Sequence, residues 1–181
     1  MKRIILMIMA SVMLVSCGTS GKVSTKTYVM PGAKLASTPT PDAIRAWGMG
    51  TSDNPMTAQD EALAAARRQL AKTLESIVLT TSDKYCVMVT EGEIARSKQF
   101  FTQKSQALSN QQLRLARIIF NEWGRPDANG MHTCYVVLEL AAKDYVNGVT
   151  NTIDRTQDEA NVNIDTKVFE DLLFKTINSG K

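Results

Sequence analysis

The strongest constraint on the fold of this chain is an apolar stripe between residues 57 and 77. Five apolar side chains follow one another at spacings of 3, 4, 4 and 3 residues: Leu63, Ala66, Leu70, Leu74 and Ile77. These spacings match the 3.6-residue period of a helix with one buried face. Thr57 stands at a suitable N-cap position, and Asp60 and Glu61 fall where the helix dipole favours negative charge. The sequence therefore predicts an amphipathic helix that needs an apolar surface to pack against.

The residues just before this helix predict that surface. Residues 44–50 alternate small or apolar side chains with larger ones, which is typical of a strand with one half-buried face. Gly48 and Gly50 lie where a dinucleotide-binding fingerprint would lie, but the third glycine position is Asp53, whose carboxylate would repel a pyrophosphate. We therefore interpret the two glycines as letting the strand approach the helix closely.

Further elements follow toward the carboxyl terminus. Ile94, Phe101 and Leu108 are seven residues apart and predict a second helix over residues 93–108, with Phe100 beside the stripe. The polar run 80–83 predicts a break between the two helices. The apolar run in residues 85–90 fits either a strand or a buried helical turn, and its pattern leaves both open.

Two strands and two helices complete the predicted order. Residues 113–123 and 131–141 predict a pair of antiparallel strands, because residues 124–130 between them are rich in turn-forming types. The expected core face of the second strand consists of alternate residues: Cys134, Val136, Leu138 and Leu140. A short helix is expected over residues 142–153. A final helix is expected with an Asp165 cap, Ile164 stapled to Phe169, and an apolar stripe made of Phe169, Leu172, Leu173 and Ile177.

The order strand, helix, helix, strand, strand, helix, followed by the final helix, predicts an α+β fold in which helices pack on a small antiparallel sheet. We place it in one domain over residues 43–181. The chain has 181 residues, 44% of them hydrophobic and 22% charged, a composition that excludes a disordered tail and a membrane-spanning bundle.

The amino terminus is organised as an export signal. Lys2 and Arg3 precede an apolar run over residues 4–15. As a helix this run would be about 18 Å long, which is short of the roughly 30 Å hydrocarbon core of a bilayer. We therefore expect residues 1–16 to be removed. Without Lys2 and Arg3, the formal charge of +3 falls to about +1.

The residues Leu14-Val-Ser-Cys17 resemble the lipobox of bacterial lipoproteins. The resemblance implies that the Cys17 thiol is acylated and anchors the protein in a bacterial envelope, since several acyl chains bind a bilayer stably. Gly18 in place of aspartate favours the outer membrane, facing the periplasm, with cell-surface exposure as the alternative. An ordinary secretory leader with a chance cysteine is the competing interpretation. Residues 17–42 are rich in Pro, Gly, Ser and Thr and are expected to form a flexible tether.

Local patterns in the domain resemble the LPP-twenty family of membrane-associated bacterial lipoproteins, which is related to the amino-terminal part of a flagellar assembly protein. The resemblance rests on Trp47-Gly-Met-Gly-Thr-Ser52, on the small residues Ala58 and Ala62, on residues 66–71, and on residues 133–140. It implies an envelope lipoprotein with an α+β fold and no established catalytic activity.

The remaining cysteines leave two alternatives open. In an oxidising compartment Cys86 and Cys134 either form a disulfide or stay as buried thiols, since both lie in apolar runs. His132 is the sole histidine and no Cys-x-x-Cys motif is present, so we expect no metal site, no cofactor and no serine-type triad. Because His132 lies near the start of a strand, we expect it at the surface.

Basic residues suggest one candidate contact region. Arg114 and Arg117, with Arg67 and Arg68, are candidates for a patch that binds an anionic glycan, a lipid or a partner. The nearly neutral mature domain lacks the strong positive footprint of a nucleic-acid-binding protein. Our leading hypothesis is a non-enzymatic, lipid-anchored envelope protein that presents its domain to protein or cell-wall partners. A glycan- or peptidoglycan-binding module is the alternative, and a hydrolase built from scattered carboxylates ranks third.

Overall fold

The computed structural model describes residues 29–179 and has an α+β fold, as the sequence predicts. Its elements follow one another in this order: α1 (Ala33–Ser37), β1 (Ala43–Ser52), α2 (Pro55–Cys86), α3 (Glu91–Gln112), a 3₁₀ turn (Leu113–Leu115), β2 (Arg117–Trp123), β3 (His132–Ala141), α4 (Ala142–Thr156) and α5 (Thr166–Ser179). The strands form one antiparallel sheet in the order β1-β3-β2. None of the helices in residues 29–179 is both long and apolar enough to cross a bilayer.

The core lies between the sheet and α2. The predicted inner face of β3 is confirmed, since none of its four side chains is more than 2% exposed: Cys134, Val136, Leu138 and Leu140. The opposing stripe of α2 is fully buried and repeats every four residues: Ala58, Ala62, Ala66, Leu70, Leu74 and Val78. Leu63 and Ile77 of the predicted stripe are only partly buried and pack on its flank. Alanines occupy the first half of the stripe because β1 comes closest to α2 there.

Helix α2 begins earlier than predicted. Asn54 is its N-cap, with the side-chain Oδ1 accepting hydrogen bonds from the Met56 and Thr57 N–H groups at 2.9 and 3.4 Å. Pro55 then takes the first helical position, where its missing N–H costs nothing. The prediction of Thr57 as the cap was therefore wrong.

The same helix also ends later than predicted. It continues through residues 80–83 to Cys86, so the predicted break was wrong. The Thr81 and Ser82 hydroxyls donate to the carbonyls of Ile77 and Leu79, both at 2.7 Å, and both side chains are buried. Because these hydroxyl groups are hydrogen-bonded to their own helix, the two residues can be buried without ending the helix. The ambiguous apolar run thus includes the last helical turn rather than a strand.

An aromatic cluster joins the end of α2 to the middle of α3 and the first turn of α5. Phe101 stacks on Phe169 with ring centroids 4.7 Å apart, and Tyr85 meets both rings edge-on at 6.3 and 5.9 Å. The predicted second helix is confirmed, and it extends over residues 91–112. Helix α4 is joined to α2 by Tyr145, whose hydroxyl donates to the Leu74 carbonyl at 2.7 Å.

The remaining boundaries agree with the sequence, with one correction. Strand β2 begins at Arg117 because residues 113–115 form a 3₁₀ turn. Asp165 caps α5 as predicted, with Oδ1 accepting from the Lys167 and Val168 N–H groups at 3.1 Å. Ile164 and Phe169 are both buried beside that cap.

Part of the predicted tether is folded. Helix α1 lies on the outer face of the sheet, and the Pro31 carbonyl accepts a hydrogen bond from Trp47 Nε1 at 2.8 Å. Gly32 has a φ of 76°, and a Cβ there would lie 2.8 Å from the Phe120 ring. The prediction of a linker was wrong for this portion, because the outer face carries Val137, an apolar side chain that must be covered. The leader, Cys17 and the first part of the tether lie outside the described residues.

Candidate functional site

The two glycines of β1 have the role that the sequence predicts. A Cβ at Gly48 would collide with the backbone of Ala62 and Ala66, and one at Gly50 would collide with the Ala58 carbonyl. The two glycines therefore lie against the body of α2 and not at its N-terminus, where a dinucleotide fingerprint would hold the pyrophosphate. This arrangement positions α2 and makes no room for a ligand.

The structure decides between the two alternatives for the cysteines. Cys86 and Cys134 are both free and both buried. Cys134 is paired with Gly50, which packs against Ala58 and Ala62, whereas Cys86 ends the same helix 24 residues after Ala62. At 1.5 Å per residue that is about 36 Å, far too long for a disulfide.

The two thiols therefore follow the buried-thiol alternative. Burial raises the pKa of both groups, and the nearby Asp83 carboxylate adds to the effect at Cys86. The Cys134 thiol donates to Asn121 Oδ1 on β2 at 3.2 Å. A raised thiol pKa leaves little of the reactive thiolate at neutral pH, so neither group is suited to nucleophilic chemistry.

A buried carboxylate on the outer face of the sheet holds two arginines. Glu139 is 7% exposed. Its Oε2 accepts from Arg45 Nε at 2.9 Å, and its Oε1 accepts from Arg117 Nη2 at 2.6 Å. The hydrogen bond from Arg117, with those from Arg45, holds the pKa of Glu139 below its usual range. Arg45 also donates to the Leu35 carbonyl of α1 at 3.4 Å, so the cluster links α1 to all three strands.

The predicted basic residues serve separate sites. Arg117 is committed to Glu139, although its side chain is 75% exposed. Arg114 lies on the 3₁₀ turn and lines a cleft of about 400 Å³ between the end of α3 and α4, together with Asp144 and Arg155. Arg67 and Arg68 are exposed on α2. The structure therefore does not gather these cations around one cavity.

A group of exposed apolar side chains surrounds β2. We call it the β2 surface and define it by Leu115, Ile118 and Trp123, which are 48%, 49% and 41% exposed. Helix α2 packs on β1 and β3 and leaves the inner side of β2 open. Exposed apolar surface with a rim of arginines is typical of a protein-binding region. Sequence reasoning identified the strand but missed its exposure, because Ile118-Ile-Phe120 has the composition of a core strand.

The backbone of β2 adds unpaired groups to this surface. The Gly124 N–H donates to the Thr133 carbonyl at 2.8 Å, which fixes the alternation of the ladder. Because alternate residues of an antiparallel strand face the same neighbour, the N–H and C=O groups of Asn121 and Trp123 point away from the sheet. Ile118 does so too, since it lies opposite Leu138, whose backbone groups face β1.

Among residues 29–179, His132 belongs to no cluster of metal ligands. His132 is half-buried at the start of β3. Over the part of the chain that the structure describes, no group of three or more histidine, cysteine and acidic side chains is placed to hold a metal ion.

Comparison with known proteins does not assign the chain to a family. No family model, no curated protein and no solved structure matches it. The resemblance to the LPP-twenty family therefore stays a prediction. The residues that carry it lie together in the fold: residues 47–52 are on β1, Ala58 and Ala62 are on the stretch of α2 against it, and residues 133–140 form most of β3.

Proposed function

We propose that this protein is a non-enzymatic bacterial lipoprotein that is anchored in the outer membrane through Cys17 and presents its α+β domain to protein partners. The observation that carries the proposal is Leu14-Val-Ser-Cys17 at the end of a charged and then apolar leader. A thiol at that position resembles the acylated residue of the lipoprotein class, and several acyl chains give a durable anchor. The periplasmic side of the outer membrane is the proposed location.

Two further observations support the proposal. The LPP-twenty resemblance implies an α+β fold, which is the fold observed. The β2 surface offers exposed apolar side chains and open backbone groups to a protein partner. An anchored domain of this kind needs no catalytic group to perform an adaptor or structural role.

The anchor is tested by intact-mass analysis of protein from the host membrane after growth with a labelled fatty acid. We expect a chain that begins at Cys17, carries added acyl mass and stays in the membrane fraction. Cys17→Ala should lose the label, whereas the matched control Cys86→Ala should keep it. A native chain that still begins at Met1, or one that begins at residue 17 with no acyl mass, would contradict the proposal.

The glycan-binding alternative is less well supported. It was based on Arg114 and Arg117, which lie in separate places: Arg117 is bound to Glu139, and Arg114 lines a cleft with Asp144 and Arg155. Glu139 partly neutralises Arg117, and the separation of the two arginines weakens their joint attraction for an anionic polymer.

A further inference from the structure

The β2 surface combines an open strand edge with charges of both signs. Arg117 lies near the beginning of the strand and Glu122 near its end, and both are exposed. Glu122 makes no salt bridge within residues 29–179. An open edge strand with exposed apolar side chains is a template for pairing with another strand.

The sequence of β2 is complementary to itself in one antiparallel register. When Arg117 of one copy lies opposite Glu122 of a second copy, Ile118 falls opposite Asn121. The register of β2 against β3 shifts by one residue between Ile118 and Phe120. Because of this irregularity, Arg117 and Glu122 both lie on the outer face, opposite Glu139 and Tyr135, although they are five residues apart. Ile118 and Asn121 both lie on the inner face, opposite Leu138 and Val136. These two kinds of cross-strand pair therefore each share a face, as a ladder requires.

Backbone and apolar groups fit the same register. Ile118 and Asn121 are residues whose N–H and C=O groups point away from β3, so they can form hydrogen-bonded pairs across the new edge. Trp123 of the second copy then lies diagonal to Ile118 on the inner face, which brings together two of the apolar side chains that the single domain leaves exposed. Arg117 has donors to spare, since only its Nε and Nη2 bind Glu139.

We propose that β2 pairs antiparallel with β2 of a second copy about a two-fold axis, with Arg117 of each copy opposite Glu122 of the other. The result is a continuous six-stranded sheet across the dimer. The inference rests on the proposed function in one respect, because it identifies the protein partner as another anchored copy of this chain. A two-fold axis generates both Arg–Glu pairs at once, as expected of an isologous interface.

The test uses two differently tagged copies of the full chain, expressed together in the host and purified through one tag in mild detergent. Wild-type copies should co-purify. Arg117→Glu alone and Glu122→Arg alone should each lower self-association about tenfold, because like charges then face each other twice. The two variants expressed together should recover the association, since opposite charges again meet in both pairs.

Matched controls separate pairing from folding. Arg68→Glu and Glu159→Arg change the same charges at exposed positions outside β2, and both should co-purify with themselves like wild type. Because Arg117→Glu also loses its hydrogen bonds to Glu139, the rescue by Glu122→Arg, rather than the loss of association alone, decides the test. Asn121→Pro removes an outward N–H and leaves the backbone ladder to β3, but it also removes the side-chain acceptor of the Cys134 thiol. Asn121→Ala is its control, since it loses the same side-chain contact and keeps the N–H: the proline variant should block pairing, and the alanine variant should still pair.

Several outcomes would overturn the inference. One is wild-type copies that do not associate. A second is self-association of Arg117→Glu or of Glu122→Arg that is as strong as that of wild type. A third is two variants that fail to rescue each other although both are folded. Because association is read independently of acyl mass, failure of the dimer and failure of the lipid anchor are distinguishable.

Discussion

Single residues set how closely the strand and the long helix approach. Gly48 has no room for a methyl group, because the backbone of Ala62 and Ala66 fills the space where its Cβ would lie. Neither the helix backbone nor the central residues of β1 can move far without disturbing the core. The close packing of β1 against α2 therefore requires residues without a Cβ at two positions, Gly48 and Gly50.

We expect Gly48→Ala to lower the free energy of unfolding by about 1–3 kcal/mol or more, through overpacking against the helix backbone. Urea denaturation measures the change. Gly92→Ala is the matched control, since nothing lies within 4 Å of a Cβ at that helical position. The control should be neutral or stabilising by up to about 1 kcal/mol. Equal stability of Gly48→Ala and wild type would contradict the packing argument.

At the scale of elements, the outer face of the sheet is held by a buried ion cluster. Glu139 on β3 binds Arg45 on β1 and Arg117 on β2, and Arg45 reaches the Leu35 carbonyl of α1. Ion pairs at exposed positions contribute little to the free energy of unfolding. The domain is destabilised far more when a buried carboxylate that binds two arginines is protonated or loses its partners. The cluster should therefore make the packing of α1 sensitive to acid.

The lowered pKa of Glu139 fixes the sign of that dependence. Its stabilising contribution is fully present above the ordinary carboxyl pKa and is lost as the pH falls through the lower pKa of the folded state. We expect Glu139→Gln to destabilise the domain most at neutral pH, with the difference from wild type narrowing in acid. Urea midpoints across a pH series measure it, with Glu159→Gln as an exposed control. If the difference in stability between Glu139→Gln and wild type did not change with pH, the stabilising role of the ionised Glu139 would be contradicted.

The long helix illustrates how far element boundaries follow from sequence. Its existence and its buried stripe through Ala66, Leu70 and Leu74 were predictable from periodicity alone. Its continuation through Thr81 and Ser82 was not, because a break signal is local while the burial of those side chains depends on tertiary packing. The hydroxyls donate hydrogen bonds to carbonyls of their own helix. Residue type alone does not predict these bonds.

At the scale of the whole molecule, the length of α2 separates the two thiols. Spacing along the chain left a disulfide open, but the helix places Cys86 and Cys134 at opposite ends of the domain. Both thiols should therefore stay reduced, even in an oxidising compartment.

We expect both thiols to react slowly with a thiol-specific reagent in the native protein and rapidly once it is unfolded, because burial shields them and raises their pKa. Peptide mapping under non-reducing conditions should recover each as a free thiol. A cross-linked peptide joining Cys86 to Cys134 would show that the helix is not continuous.

Local patterns by themselves determined the four longer helices, the core face of β3 and the α+β class, since each depends on residue identity or on a period read over a few turns. They also predict a leader that ends at Cys17. The tertiary structure alone decided that α1 covers the outer face, that β2 stays open, and that Arg114 and Arg117 serve separate sites. The physical reason is that burial and charge pairing depend on which distant elements meet. Periodicity shows which face of a segment is apolar, whereas only packing shows whether anything covers it.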